Sequence, residues 1–225
     1  MSTTAPTSLR RRVRALNRRL EKEYGSPEKP RIDPLDELML TILSQNTSDT
    51  NRDSAHESLR RRFDDWDEVR TAPRGELEDA IKSAGLWQQK ARTMQETLEA
   101  LHAERGELDL SQLNEMSDEE AIDYLTGFRG VGVKTAACVL CFALGRPYMP
   151  VDTHVHRTTR RLGLIPEDAS AVQAHSILND DSVVPPELRF AFHIQLIRHG
   201  RAVCRAGRPD CESCVIEDLC PKIGV

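Results

Sequence analysis

Apolar positions recur at helical spacing along most of the chain, and the period-two alternation of a half-buried strand is hard to find anywhere. Leu9, Val13, Leu16 and Leu20 predict a helix over 8–24, stopped by Gly25-Ser26-Pro27, with the first six or seven residues loose. Leu35, Leu38, Met39 and Ile42 predict a second helix over 34–43. Further helices are predicted over 49–62, 75–83, 88–104, 117–126, 133–144, 152–161, 169–178 and 187–199, joined by short turns bearing Gly, Pro or Asp. The stretch 133–144 is apolar around nearly its whole circumference, which a helix tolerates only at the centre of a domain. No repeat, low-complexity tract or long linker interrupts the pattern, so two domains, if the chain makes two, are expected to pack together.

Composition narrows the class. With 225 residues, 39% of them hydrophobic and 30% charged, the chain is long enough for one or two domains with a real core and needs no disulfide staples. No apolar run approaches the ~18 residues of a membrane span, and the start Leu9-Arg10-Arg11-Arg12 leads into no signal core, so the expectation is an intracellular, cytoplasmic chain. The net charge of -5 argues weakly against a nucleic-acid partner, but its distribution does not. Residues 1–30 hold eight Lys and Arg against three Glu, and residues 127–163 hold six against Asp152 alone. Eight acids against Arg105 crowd into 104–123, which leaves basic surface elsewhere, although an Arg-rich start can also be a plain solvated helix face.

Three motifs carry chemistry. Cys204, Cys211, Cys214 and Cys220 fall within seventeen residues, and four thiols this close in an intracellular chain suit a metal centre better than disulfides. Their gaps of six, two and five fit a [4Fe-4S] cluster, with zinc as the alternative. Cys138 and Cys141, in the apolar stretch, read as small buried hydrophobes. The second motif, Gly127-Phe128-Arg129-Gly130-Val131-Gly132-Val133-Lys134-Thr135, joins two predicted helices. It is either a helix-hairpin-helix whose free N–H groups grip a phosphate or an ordinary connection. Lys134 then stands in a first helical turn beside Val133 and Ala137, where dipole and desolvation both disfavour the ammonium form; it suits Schiff-base chemistry or a phosphate contact. The third motif, Val151-Asp152-Thr153-His154-Val155-His156-Arg157, offers Asp152 as a helix N-cap. A metal site from Asp152, His154 and His156 is the other possibility, one that a helical backbone would break up.

Together, Gly130-x-Gly132-x-Lys134, Asp152 eighteen residues on and the four terminal cysteines resemble the endonuclease III family of helix-hairpin-helix DNA glycosylases. Leu43-Ser44-Gln45-Asn46-Thr47-Ser48-Asp49 and Ala84-Gly85-Leu86-Trp87-Gln88-Gln89-Lys90-Ala91 resemble the same family, so the likeness runs in order from about Asp36 to Pro221. It implies an all-α, two-lobed fold: a six-helix barrel with the hairpin over 27–146, and an iron–sulfur cluster domain from 1–26 and 147–225, with damaged DNA held between. It implies Lys134 as nucleophile, Asp152 as its assistant, and Cys204, Cys211, Cys214 and Cys220 as ligands of a [4Fe-4S] cluster. Leu86 would fill the gap left by an extruded base, Gln45 and Asn46 would face the opposite strand, and Arg129, Gly130 and Gly132 would meet the DNA backbone. The implied activity is removal of oxidised pyrimidines from double-stranded DNA and β-elimination at the abasic site, by a monomer with no membrane partner. Two departures stand out: Phe128-Arg129 where the family has Leu-Pro, and Asn46 where it often has Gln.

Overall fold

A computed structural model describes residues 6–225 of the chain, and the first five, part of the expected loose start, lie outside the described residues. Among the described residues there is no strand. The helices are α1 (Pro6–Tyr24), α2 (Pro34–Ser44), α3 (Asp49–Arg62), α4 (Trp66–Thr71), α5 (Arg74–Ala80), α6 (Trp87–Arg105), α7 (Asp118–Thr126), α8 (Val133–Cys138), α9 (Thr153–Arg161), α10 (Ala171–Leu178) and α11 (Arg189–Ala202). None is long and apolar enough to cross a membrane. They fall into two compact units: Arg31–Leu144, which holds α2 to α8, and the segment ending at Pro30 together with Gly145–Val225, which holds α1 and α9 to α11.

Local chemistry sets most of the helix starts. Asp33 accepts from the Leu35 N–H at 2.8 Å with Pro34 in the first turn, and Ser48 accepts from the Asn51 N–H at 3.2 Å. Ser117 with Glu120 and Ser170 with Gln173 close reciprocal capping boxes on α7 and α10. The 133–144 stretch is one α-helix only as far as Cys138. Its last turn widens into a π-helix over Val139–Ala143, where the Leu144 N–H donates to the Val139 carbonyl at 3.1 Å. Ala136, Ala137, Val139 and Leu140 are fully buried there, and Cys138 and Cys141 are buried beside them as apolar filler.

In the second unit α1 supplies Val13, Leu16 and Leu20 to a core shared with Val155, Leu162, Phe192 and Leu196. Each buried Leu there is worth about 1.5–3 kcal/mol. The Arg-rich face of α1 is largely solvated, as a surface helix face would be, yet part of it makes contacts: Arg12 donates to the carbonyls of Leu162 and Leu219, Arg14 pairs with Glu187 at 2.6 Å, and Arg19 grips Asp218. The positive charge of residues 1–30 is thus partly consumed in fastening α1 to the residues beyond Gly145.

Candidate active site

In the 31–144 unit the hairpin turn is built on a steric requirement. Gly130 has φ +81°, and a Cβ added to it would lie 2.7 Å from Thr93 Oγ1 on α6, so any side chain would collide as well as strain the backbone. Gly132 differs: its backbone is extended, and nothing lies within 4 Å of where a Cβ would stand. It leaves open space at the start of α8, where no side chain caps the first N–H groups. Lys134 is the second residue of α8, half-buried. Arg129 is exposed and shares Glu96 with Arg92, at 3.5 and 3.3 Å. The proline-to-arginine departure therefore places a loosely held cation on the turn.

Two other turns are tied to this one or to each other. Gln45 ends α2, and its Nε2 donates to the Gly130 carbonyl at 3.3 Å and to Thr135 Oγ1 at 3.4 Å. Asn46, next along, is exposed with φ +51°. Leu86 precedes α6 with φ +48° and is 51% exposed, a large apolar side chain held out on a left-handed backbone. Gln45 thus ties the end of α2 to the hairpin, and Leu86 stands on another turn of the same unit.

Two charged residues of this unit carry signals that the periodicity does not reveal. Glu37 on α2 is 7% exposed, and burial pushes its carboxyl up to about 7, against the downward pulls of a hydrogen bond from Thr41 Oγ1 (2.8 Å) and the positive charges of Lys134 and Arg52. A Glu four residues before a Thr, on a helix buried around most of its circumference, was the available clue. Lys90 on α6 is 2% exposed and donates to the carbonyls of Leu43 and Ala84, both at 2.8 Å. Its spacing from Met94, Thr97 and Leu101 puts it on the buried face of α6.

In the other unit, Asp152 caps α9: its Oδ1 accepts from the Val155 N–H at 2.7 Å, and the carboxylate is half-buried at the helix start. A metal site from Asp152, His154 and His156 does not form, because on a helix the side chains diverge. His154 Nδ1 meets Arg157 at 3.1 Å, while the His156 ring reaches the Ala169 carbonyl at 2.8 Å.

The four terminal cysteines line one cavity, with Arg161, His199 and Thr158 in its walls. Among the described residues no three His, Cys, Asp or Glu side chains are grouped tightly enough to hold a single ion. Arg161, 4% exposed, donates from Nη1 to Cys204 Sγ at 3.3 Å and to the Arg205 carbonyl at 2.8 Å, and from Nη2 to the Ala206 carbonyl at 3.0 Å. The Lys222 N–H donates to Cys220 Sγ at 3.4 Å. His199 stands between Tyr24 Oη (3.0 Å) and Cys214 Sγ (3.6 Å), and burial lowers its imidazolium to about 4. Burial, then the neighbouring thiols, pushes Cys214 and Cys220 above the ordinary thiol range.

Comparison with known proteins gives a consistent result. Residues 39–180 match the family model described as HhH-GPD superfamily base excision DNA repair protein. Endonuclease III of Thermotoga maritima is 30% identical over 208 residues, covering 92% of each chain. A protein of Arabidopsis thaliana with a provisional DNA glycosylase name is 37% identical over 84% of this chain, which spans 65% of that relative's length. Among solved structures, a trapped endonuclease III–DNA covalent intermediate superposes with a TM-score of 0.81 at 27% identity, covering 98% of this chain and 97% of that one.

Proposed function

The chain belongs to the HhH-GPD superfamily of base excision DNA repair proteins and within it to the endonuclease III-like DNA glycosylases, and we propose that it excises oxidised pyrimidines from double-stranded DNA and cleaves the abasic site through a Lys134 Schiff base. The observation that carries this reading is Lys134 itself, a half-buried lysine two residues beyond the Gly130 to Gly132 turn, at the start of a helix with uncapped N–H groups. Monofunctional excision would need only a carboxylate and water; an amine at this position gives the covalent route.

Phosphates first meet the hairpin N–H groups and Arg129, and the duplex opens around Leu86, with Gln45 and Asn46 facing the strand opposite. A damaged base stacks and pairs less well, which lowers the work of extruding it. The Lys134 amine attacks C1′, and the C1′–N bond breaks with its electron pair leaving on the base. Asp152 stabilises the positive charge developing on the sugar and accepts the amine proton. The sugar then opens: the C1′–O4′ bond breaks with its electron pair on O4′, which takes the proton held by Asp152, and C1′ becomes an iminium that acidifies the C2′ proton. Loss of that proton and departure of the 3′ phosphate cut the strand, and water then releases Lys134.

The cysteine loop fits a [4Fe-4S] cluster better than one zinc ion. What supports this is the spacing of six, two and five residues between the four cysteines, together with the one cavity that all four line. Cys204, Cys211, Cys214 and Cys220 would hold it, and when bound it would cross-link residues 204–220 and supply the charge that keeps the thiols ionised. The protein acts as a cytoplasmic monomer.

Single-turnover excision on a duplex with one oxidised pyrimidine tests the reading, scoring base release separately from strand cleavage. Native protein is expected to yield both at matched rates, and Lys134→Gln to lose at least about a thousandfold of cleavage. Base release by native protein without cleavage would contradict the lyase half; neither product would contradict both.

A further inference from the structure

Lys90 is a fully buried lysine whose burial pushes its ammonium below the ordinary range, and both acceptors of its Nζ are main-chain carbonyls rather than carboxylates. Both carbonyls lie at helix ends. Leu43 is in the last turn of α2, whose carbonyls have no partner within the helix, and Ala84 closes the 3-10 turn Lys82–Ala84. A cation at the C-terminal end of α2 is favoured by that helix's dipole, and the two carbonyls it meets offset part of its desolvation.

The residues just beyond these two carbonyls have unusual backbones. Three residues after Leu43 comes Asn46 (φ +51°); two after Ala84, past Gly85 (φ +65°, ψ 159°), comes Leu86 (φ +48°). Only three non-glycine residues with positive φ occur among the described residues, and two of them flank this one ammonium. A left-handed leucine is strained by about 1–2 kcal/mol and persists only where its surroundings over-determine it. Lys90 holds the Leu86 turn twice, because its backbone N–H also donates to the Leu86 carbonyl, at 3.0 Å.

We propose that Lys90 is a positioning residue, a shared anchor that sets the spacing of the Asn46 and Leu86 turns so that both projections enter the duplex as one rigid pair. The inference rests on the reading that this chain extrudes a base from DNA. Phosphate contacts supply binding energy at the hairpin, but that energy opens the base stack only if the inserted side chains cannot recoil. Without the anchor the protein would still bind and still react with a base already outside the stack, and would fail at extrusion.

The test uses the full chain with Lys90→Met, similar in length and apolar, and Lys90→Gln, which keeps one donor group. Single-turnover excision is measured on the same oxidised pyrimidine placed in a fully paired duplex and in an unpaired bubble, and backbone hydrogen exchange is read at 45–47 and 85–87. Lys90→Met should lose about tenfold to a hundredfold on the paired duplex, the scale of a small misplacement, and less than about threefold in the bubble. Exchange should rise at both turns together, with Lys90→Gln intermediate. Equal losses on both substrates, or exchange rising at one turn only, would overturn the proposal. If native protein excises from neither substrate the glycosylase reading fails, and the exchange comparison alone then decides the anchor. Should Lys90→Met not fold, Lys90→Gln carries the same comparison.

Discussion

The two units hold their chemistry-bearing segments by different means. In residues 31–144 the turns are cinched from within. Gln45 bonds to the hairpin carbonyl, Thr93 fills the space a side chain at Gly130 would need, and Lys90 joins two helix ends. In the other unit, residues 204–220 contain one short 3-10 turn and are held by arginines reaching in from neighbouring helices. The first arrangement is preorganised by packing and by hydrogen bonds within the unit. If the four cysteines hold the proposed cluster, its loss should loosen the unit that carries them and leave the other's hydrogen bonds intact.

Arg161 offers the hardest blow to the second arrangement. Arg161→Ala removes donors from three main-chain carbonyls and from Cys204 Sγ, and is expected to destabilise by about 3–5 kcal/mol, as loss of a buried charged network does. Hydrogen exchange should rise over 204–220 and stay unchanged at 45–47 and 85–87; a rise at both would erase the distinction between the units. If the cysteines hold the proposed cluster, its removal by chelation or oxidation should give the same local pattern.

Gly130→Ala strikes the first arrangement. The clash with Thr93 and the positive φ together predict a loss of about 2–3 kcal/mol in thermal or denaturant unfolding. Shortening the neighbour should relieve only the clash, so Gly130→Ala with Thr93→Ala should recover part of the loss; no recovery would mean that backbone strain alone is responsible.

The smallest effect belongs to Glu37, and its sign is set by linkage. Its folded carboxyl titrates near 7, above the ordinary carboxylate value of 4.5, so the fold binds this proton more tightly than the unfolded chain does. The penalty is absent below about pH 4.5, grows as pH rises toward 7 and is constant beyond. Each pKa unit is worth about 1.4 kcal/mol, and the buried amide of Glu37→Gln returns part of that, leaving a net gain of about 1–2 kcal/mol at pH 8 that vanishes near pH 4.5. Equal stability of native and Glu37→Gln at pH 8 would show the carboxylate to be fully compensated by Lys134 and Arg52.

Long helices were legible in the pattern because apolar spacing and caps agreed, as in α1, α2 and α7. α4 was missed because six residues with Trp66 and Val69 buried give too short a window for periodicity, and only the Asp65 cap marked it. The uniform apolar run at 133–144 could not announce where an α-turn widens to a π-turn. For the candidate site, spacing and residue type singled out the hairpin, Lys134, Asp152 and the cysteines, whereas Gln45, Asn46 and Leu86 came only from the resemblance to the endonuclease III family. Lys90 and Glu37 escaped because a charged residue on a buried face looks like surface until its partners, 47 residues away in one case, are seen.

The most direct test of the amine mechanism is borohydride reduction during turnover on a duplex bearing one oxidised pyrimidine, with native protein and Lys134→Gln side by side. A covalent protein–DNA adduct with the native chain, mapped to Lys134 and absent from the variant, is the expected result. Base release without any adduct, or an adduct that survives Lys134→Gln at full yield, would contradict it.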